Sequence, residues 1–137
     1  MSFTRLRYHI VFATKYRARW ISPAVEEVLY PVLGKVINDI GGQSIRINGV
    51  EDHVHLVCAL PPSLCIDDSI RAMKSQSTCA IRRHFEHLSF FKWQRGFGCF
   101  TLNPVDMRGI LAYVENQKQH HRRRDELQAM WERVEAR

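Results

Sequence analysis

Residues 43–60 read QSIRINGVEDHVHLVCAL, and the fold turns on this stretch. Residues 43–48 form a short run of alternating polar and apolar side chains, Asn48-Gly49 is a turn signal, and residues 52–60 form a second run rich in β-branched and apolar residues. Together they predict a β-hairpin, which Pro61-Pro62 ends. Upstream, residues 5–14 place Leu6, Tyr8, Ile10 and Phe12 on one face of a strand. Ser22-Pro23 pairs a capping residue with a first-turn proline. Val25, Val28, Leu29, Val32, Leu33, Val36 and Ile40 then follow at helical spacing until Gly41-Gly42 stops them. Pro31 falls inside this helix and is predicted to kink it or to mark a later start. Downstream, residues 67–87 predict a helix with Ile70, Met73, Ser77, Ile81 and His84/Phe85 on one side. Residues 90–102 predict a fourth strand, and a last helix runs from Pro104 or Asp106 to about Arg123. The order β-α-β-β-α-β plus a C-terminal helix predicts an α+β, ferredoxin-like split βαβ fold. That is an antiparallel sheet with two helices on one face and the other face open to a ligand or partner. Such a scaffold hosts many chemistries, so function has to be read from particular residues.

The chain has 137 residues, of which 45% are apolar and 25% charged. This is the composition of a folded chain with one real core, expected as a single domain over residues 1–124 followed by a charged tail over 125–137. No apolar run approaches the ~18 residues of a transmembrane helix. The N-terminal MSFTRLRYH has no secretory apolar region, so the expected location is the cytoplasm. Cys58, Cys65, Cys79 and Cys99 show no paired spacing and are expected as small core residues or inert thiols.

Charge is distributed unevenly. Residues 1–20 carry five basic groups and no acid, residues 21–117 nine basic and ten acidic, and residues 118–137 six basic and four acidic. The net +6 therefore divides into +5, −1 and +2. Basic ends around a near-neutral middle point to a polyanionic partner, with a solvated basic surface as the plainer alternative.

Two small constellations carry chemistry. In a strand, His53 and His55 project to one face while Val54 and Leu56 project to the other. Two adjacent imidazoles are half of a site for a first-row divalent ion, or simply two histidines on a sheet face. On the last helix Met107, Ile110, Leu111 and Val114 form the apolar stripe. Tyr113 and Gln117 lie on its flank, about 40° apart. His120 continues their line, and Asp106 precedes it. Taken alone, this is a tyrosine with a polar neighbour.

Taken together, DHVHLV at 52–57 and YVENQ at 113–117 resemble the HUH-type single-tyrosine transposases of small bacterial insertion sequences, including the REP-associated tyrosine transposases. YHIVFATKYR at 8–17, WQRGFG at 93–98 and NQKQHHRR at 116–123 extend the likeness in order across most of residues 5–124. Val50-Glu51-Asp52 departs from the pattern, where an apolar residue or proline is expected at 51. The resemblance implies that His53, His55 and Gln117 hold one Mg²⁺ or Mn²⁺ ion. It implies that Tyr113 is the nucleophile, forming a 5′-phosphotyrosine and freeing a 3′-OH on single-stranded DNA marked by hairpins. It also implies a homodimer with composite sites, a monomeric arrangement being known among the REP-associated relatives. No phosphate-binding G-x-x-x-x-G-K-[ST] loop is present, in keeping with chemistry that needs no nucleotide cofactor.

Candidate DNA contacts follow the charge. Lys15, Arg17 and Arg19 suit phosphates, Tyr16 an unpaired base, and Arg95 lies between Trp93 and Phe97. Arg122 and Arg123, with His120 nearby, end the last helix. Two other functions fit the same residues: a non-catalytic single-strand nucleic-acid binder with a structural Tyr113, and a metal-dependent phosphodiesterase in which water attacks.

Overall fold

The computed structural model describes residues 2–118. Its elements are β1 (Arg7–Ala13), α1 (Pro23–Asp39), β2 (Gln43–Val50), β3 (His53–Ala59), α2 (Ile66–His84), β4 (Gly98–Leu102) and α3 (Met107–Glu115), with short 3-10 turns at Lys15–Arg17 and Glu86–Leu88. The four strands form one sheet in the order β2-β3-β1-β4, and every neighbouring pair is antiparallel. This is the split βαβ arrangement that the order of elements predicts.

The core lies between the sheet and the α1/α2 layer. Ile10 and Phe12 of β1 and Val54, Leu56 and Cys58 of β3 face Val25, Leu29, Leu33, Val36 and Ile37 of α1 and Ile70, Met73 and Ile81 of α2. Phe91 and Trp93 fill the end of this layer. Trp93 meets Phe12 and Phe91 edge to face at 4.8 and 5.0 Å between centroids, the arrangement that the ring quadrupoles favour. Its indole N–H donates to Ser77 Oγ at 2.9 Å, so both polar atoms are satisfied inside the core. This explains a serine on the apolar side of α2.

Local rules explain most boundaries. The Ser22 side chain accepts the Val25 N–H at 3.3 Å and Pro23 opens α1, so the helix does not start later at Pro31. Pro31 and Glu27, four residues before it, are both exposed. The carbonyl left without a helical N–H therefore lies on the solvent side.

Several expectations are corrected. Asn48-Gly49 is not the hairpin turn, because β2 continues to Val50, opposite His53, and Glu51-Asp52 make the turn. Gly49 is needed for another reason: a Cβ there would collide with the His53 carbonyl oxygen. The fourth strand does not span 90–102. Trp93 forms one isolated bridge to Thr14, the chain leaves the sheet through Gly96 at φ +91°, and regular pairing resumes at Gly98. The Lys74 ammonium holds this excursion by donating to the Gln94 and Gly96 carbonyls at 2.8 and 2.6 Å. His84 is exposed rather than part of the apolar side of α2.

Of the cysteines, Cys58 is buried and Cys99 half-buried, with burial pushing their thiols up to about 12 and about 11. Cys65 and Cys79 are exposed and so are not core residues. No helix among the described residues is long and apolar enough to cross a membrane. Residues 119–137, with the predicted tail at 125–137, lie outside the described residues.

The largest correction concerns the sheet's second face. It is not open, because α3 lies across β2 and β3 and buries His9, His53 and His55 beneath it.

Candidate active site

The hairpin register builds the site. His53 opens β3 opposite Ala13, His55 sits opposite Val11, and Val57 sits opposite His9. Residues opposite one another in an antiparallel pair share a face. His9, His53 and His55 therefore converge on the side away from the helices, while Val54 and Leu56 enter the core. All three imidazoles are at most 4% exposed.

Each histidine is oriented by a partner. His53 Nδ1 lies 2.7 Å from Asp52 Oδ1 and donates to it, leaving Nε2 as the lone-pair nitrogen. Burial raises the Asp52 carboxyl, but the His53 hydrogen bond and charge, together with the Arg17 guanidinium 3.3 Å away, outweigh this and hold it below the usual carboxylate range. The unexpected acidic pair Glu51-Asp52 thus has a place. It turns the hairpin, and the two backbone carbonyls accept from Ile21 N–H and Thr14 N–H at 2.9 Å each.

His55 Nδ1 lies 2.8 Å from His9 Nε2. With Nδ1 as donor, His55 keeps Nε2 as its lone-pair nitrogen and His9 is the acceptor. Burial, then the charges of His53 and His9, push His55 well below the usual imidazole range, so it is held neutral. Burial pushes His9 down to about 4.

Above the imidazoles stands α3. The Tyr113 ring meets His55 edge-on at 5.7 Å between centroids and His9 at 6.3 Å. Gln117 is placed by the turn that follows α3 rather than by the helix itself, and it is 1% exposed. Its amide Nε2 donates to the Tyr113 carbonyl at 3.3 Å, which turns Oε1 inward. Three buried atoms here have no hydrogen-bond partner: His53 Nε2, His55 Nε2 and Gln117 Oε1.

Unpaired buried acceptors cost about 1–3 kcal/mol each, and such costs gather where a ligand is meant to bind. Two imidazole nitrogens and an amide oxygen suit a first-row divalent ion, and also a hard ion such as Mn²⁺ or Mg²⁺ that completes its sphere with water or phosphate oxygens. Among the described residues no group of three or more His, Cys, Asp or Glu side chains is arranged for a metal. The Gln117 amide oxygen joins the two imidazole nitrogens as a buried acceptor without a partner.

Polar ties dock α3. Arg46 pairs with Glu115 at 2.8 Å, the Asn48 side chain donates to the Glu115 carbonyl at 3.0 Å, and Lys118 donates to Glu26 and Asn48 at 2.8 and 3.1 Å. Tyr113 and Gln117 thus approach the histidines of their own chain.

The sequence-predicted DNA contacts are scattered. Tyr16 is 85% exposed on a turn where it and Arg17 adopt left-handed backbone, φ 58° and 53°. Lys15 is half-buried, Arg17 engages Asp52, and Arg19 and Arg95 are exposed. Trp93 belongs to the core. His120, Arg122 and Arg123 lie outside the described residues.

His9 was not among the sequence-predicted site residues. Its signal was an imidazole inside the strand, on the face opposite Ile10 and Phe12. Its depressed pKa makes a prediction for the metal-free protein. Above pH ~6.5 neutral His9 costs nothing in either state. As pH falls from there toward 4, the unfolded chain takes up a proton that the folded chain refuses, so stability is lost. His9 alone accounts for about 3 kcal/mol, and His55 adds in the same direction. Urea midpoints measured with chelator between pH 7 and 4 should fall steeply for the wild type, and less steeply for His9→Gln. Equal slopes would show that His9 titrates normally.

Comparison with known proteins agrees with this architecture. The family model for "Transposase IS200 like" matches residues 2–117. The chain is 26% identical over 121 residues to the ISDra2 transposase TnpA of Deinococcus radiodurans, covering 82% of this chain and 84% of that protein. It is also 26% identical over 125 residues to the transposase for insertion sequence element IS200 of Salmonella typhimurium, covering 88% and 82%. Among solved structures, a Deinococcus radiodurans chain assigned provisionally as a transposase superposes with a TM-score of 0.71 at 26% identity, over 85% of this chain and 93% of that one. A REP-associated tyrosine transposase bound to a REP hairpin has the same fold, with a TM-score of 0.66 at 20% identity over 88% and 74%. With a match running from the first strand through the residues over the paired histidines, the chain belongs to the IS200-like transposase family.

Proposed function

We propose that this transposase cuts and rejoins single-stranded DNA at hairpin-marked element ends by metal-assisted transesterification, with Tyr113 as nucleophile. The Tyr113 phenol oxygen bonds to the scissile phosphorus as the bond from phosphorus to the 3′-oxygen breaks. The phenol gives up its proton, the departing oxygen takes one up as the 3′-OH, and a 5′-phosphotyrosine remains. Attack by a 3′-OH reverses the step, so rejoining consumes no nucleotide. His53, His55 and Gln117 would hold one Mg²⁺ or Mn²⁺ ion, whose chemistry when bound is Lewis-acid polarisation of the scissile phosphoryl oxygen. His9 and Asp52 keep the two imidazoles in the tautomer with Nε2 free. Tyr16 offers an exposed ring to an unpaired base, and Lys15, Arg17, Arg19 and Arg95 offer positive charge to phosphates. His120, Arg122 and Arg123 belong to the same proposal.

The observation that carries this reading is the set of three orphaned buried atoms, His53 Nε2, His55 Nε2 and Gln117 Oε1, with the Tyr113 ring edge-on to the His55 ring. A hairpin partner is supported by the similar fold solved with a REP hairpin. The proposal includes a homodimer with composite sites, in which the partner's α3 takes the place that α3 holds here over His55. Sedimentation equilibrium is then expected to give twice the 16.1 kDa of one chain, and a single-chain mass would remove this part. The reaction is tested by incubating the protein with a labelled hairpin oligonucleotide and Mn²⁺ and resolving it on a denaturing gel. A covalent protein–DNA band is expected. Cleavage without a band would favour attack by water, and binding without cleavage would favour a non-catalytic binder.

A further inference from the structure

Asn48-Gly49 has the chemistry of a turn but makes none, because both residues lie inside β2. That leaves Asn48 to be explained. It stands directly opposite His55 in the hairpin, while Val50 stands opposite His53. Its side chain takes hold of the segment that carries Gln117, on both sides of that residue. Nδ2 donates to the Glu115 carbonyl at 3.0 Å, and Oδ1 accepts from Lys118 Nζ at 3.1 Å. The same Oδ1 accepts the Gly49 N–H at 2.9 Å, which fixes the orientation of the amide.

Gln117 needs such a grip. α3 ends at Glu115, and the Gln117 N–H donates to the Val114 carbonyl at 3.3 Å, a turn bond rather than a helical one. A helix of nine residues is too short to be stable by itself. Val114 is the one residue of α3 that is buried. Neither helix propensity nor apolar packing therefore fixes a side chain two positions beyond the helix end.

Lys118 completes the hold. Its ammonium donates to Glu26 Oε1 at 2.8 Å and to Asn48 Oδ1 at 3.1 Å, and it reaches the Gly49 carbonyl at 3.4 Å. Three donors thus meet three acceptors. The Glu26 side chain is 15% exposed and stands in the first turn of α1, where the helix dipole favours a carboxylate. Both anchors belong to the packed body of the fold, since Leu29 and Leu33 of α1 are buried and β2 pairs with β3 along its length.

We infer that Asn48, Lys118 and Glu26 form a clamp of positioning residues that brings the Gln117 amide oxygen into one donor set with His53 and His55. The inference rests on the proposed metal site. Gln117 and Lys118 travel together, while Asn48 and Glu26 stay with the imidazoles, so the clamp serves α3 from either copy. Its test is calorimetric titration of the DNA-free full chain with Mn²⁺, with thermal melts as the check on folding. Lys118→Met keeps the aliphatic stem and removes the ammonium. Through its field alone, the loss of a positive charge would tighten the binding of a cation. The clamp predicts the opposite, a loss of about tenfold, and a similar loss in Asn48→Ala. Gln117→Ala should lose at least as much. Made in the Gln117→Ala background, Lys118→Met should change affinity by less than about twofold, because the group it places is already gone. Tighter or unchanged binding in Lys118→Met, or a full tenfold loss with the Gln117 amide absent, would overturn the clamp. Unchanged binding in Asn48→Ala would remove Asn48 from it. Wild-type protein that binds no Mn²⁺, or Gln117→Ala that binds it as tightly as the wild type, would overturn the donor set itself, and the clamp with it.

Discussion

Tyr113→Phe is expected to abolish the covalent protein–DNA band and to lower strand cleavage by about 10⁴-fold or more, the scale of loss when a covalent nucleophile is removed. The substitution deletes one oxygen and keeps the ring, so the edge contacts to His55 at 5.7 Å and His9 at 6.3 Å survive and α3 stays docked. DNA affinity and Mn²⁺ affinity should therefore remain near the wild-type values. This separation makes the test sharp, because a structural tyrosine predicts no change in any activity. A water-attack enzyme predicts cleavage that continues without an adduct. Persistence of cleavage in the variant, at even a tenth of the wild-type rate, would end the role assigned to Tyr113.

The second large effect is expected at His53. Removing its imidazole reduces the proposed donor set from three to two and leaves Asp52 with Arg17 as its remaining charged partner. His53→Ala should weaken Mn²⁺ binding by about 10²-fold or more in calorimetric titration of the DNA-free protein. Cleavage should fall by about 10³-fold, since Lewis-acid stabilisation supplies several kcal/mol of the barrier reduction. Asp52→Asn calibrates this result: it keeps an acceptor for His53 Nδ1–H but removes the charge that enhances the ring's basicity, so a loss of about tenfold in metal affinity is expected. Because the calorimetry needs no turnover, it separates failure of the metal site from failure of the chemistry. Unchanged Mn²⁺ affinity in His53→Ala would remove His53 from the donor set.

Much of this was legible in the chain itself. Short-range rules account for β1, α1, β3 and α2: side-chain alternation in the strands, the Ser22-Pro23 start, and the 3.6-residue spacing of the apolar side chains. Alternation also put His53 and His55 on one face, since a strand leaves no other choice. Gln117, by contrast, reaches Tyr113 through the turn that follows α3 and not through the longer helix that the spacing predicts. The local errors have local physical causes. Asn48-Gly49 has turn chemistry, yet Gly49 is there because the His53 carbonyl leaves no room for a Cβ. Residues 90–97 have strand composition, yet Trp93 enters the core and Lys74 draws the following carbonyls away from the sheet.

What the sequence determined alone was the content of periodicity: the type and order of the elements, and which side chains share a face within each. Tertiary structure decided everything that depends on register and packing between distant segments. No local pattern says that Val57 pairs with His9, and so that a third histidine joins the site across 46 positions. None says that α3 closes the sheet face, leaving three acceptors buried without partners. Summing charge along the chain also could not reveal the basic cleft between α2 and residues 92–97, because electrostatic fields add over distance in space and Asp67 is the one acid in its lining.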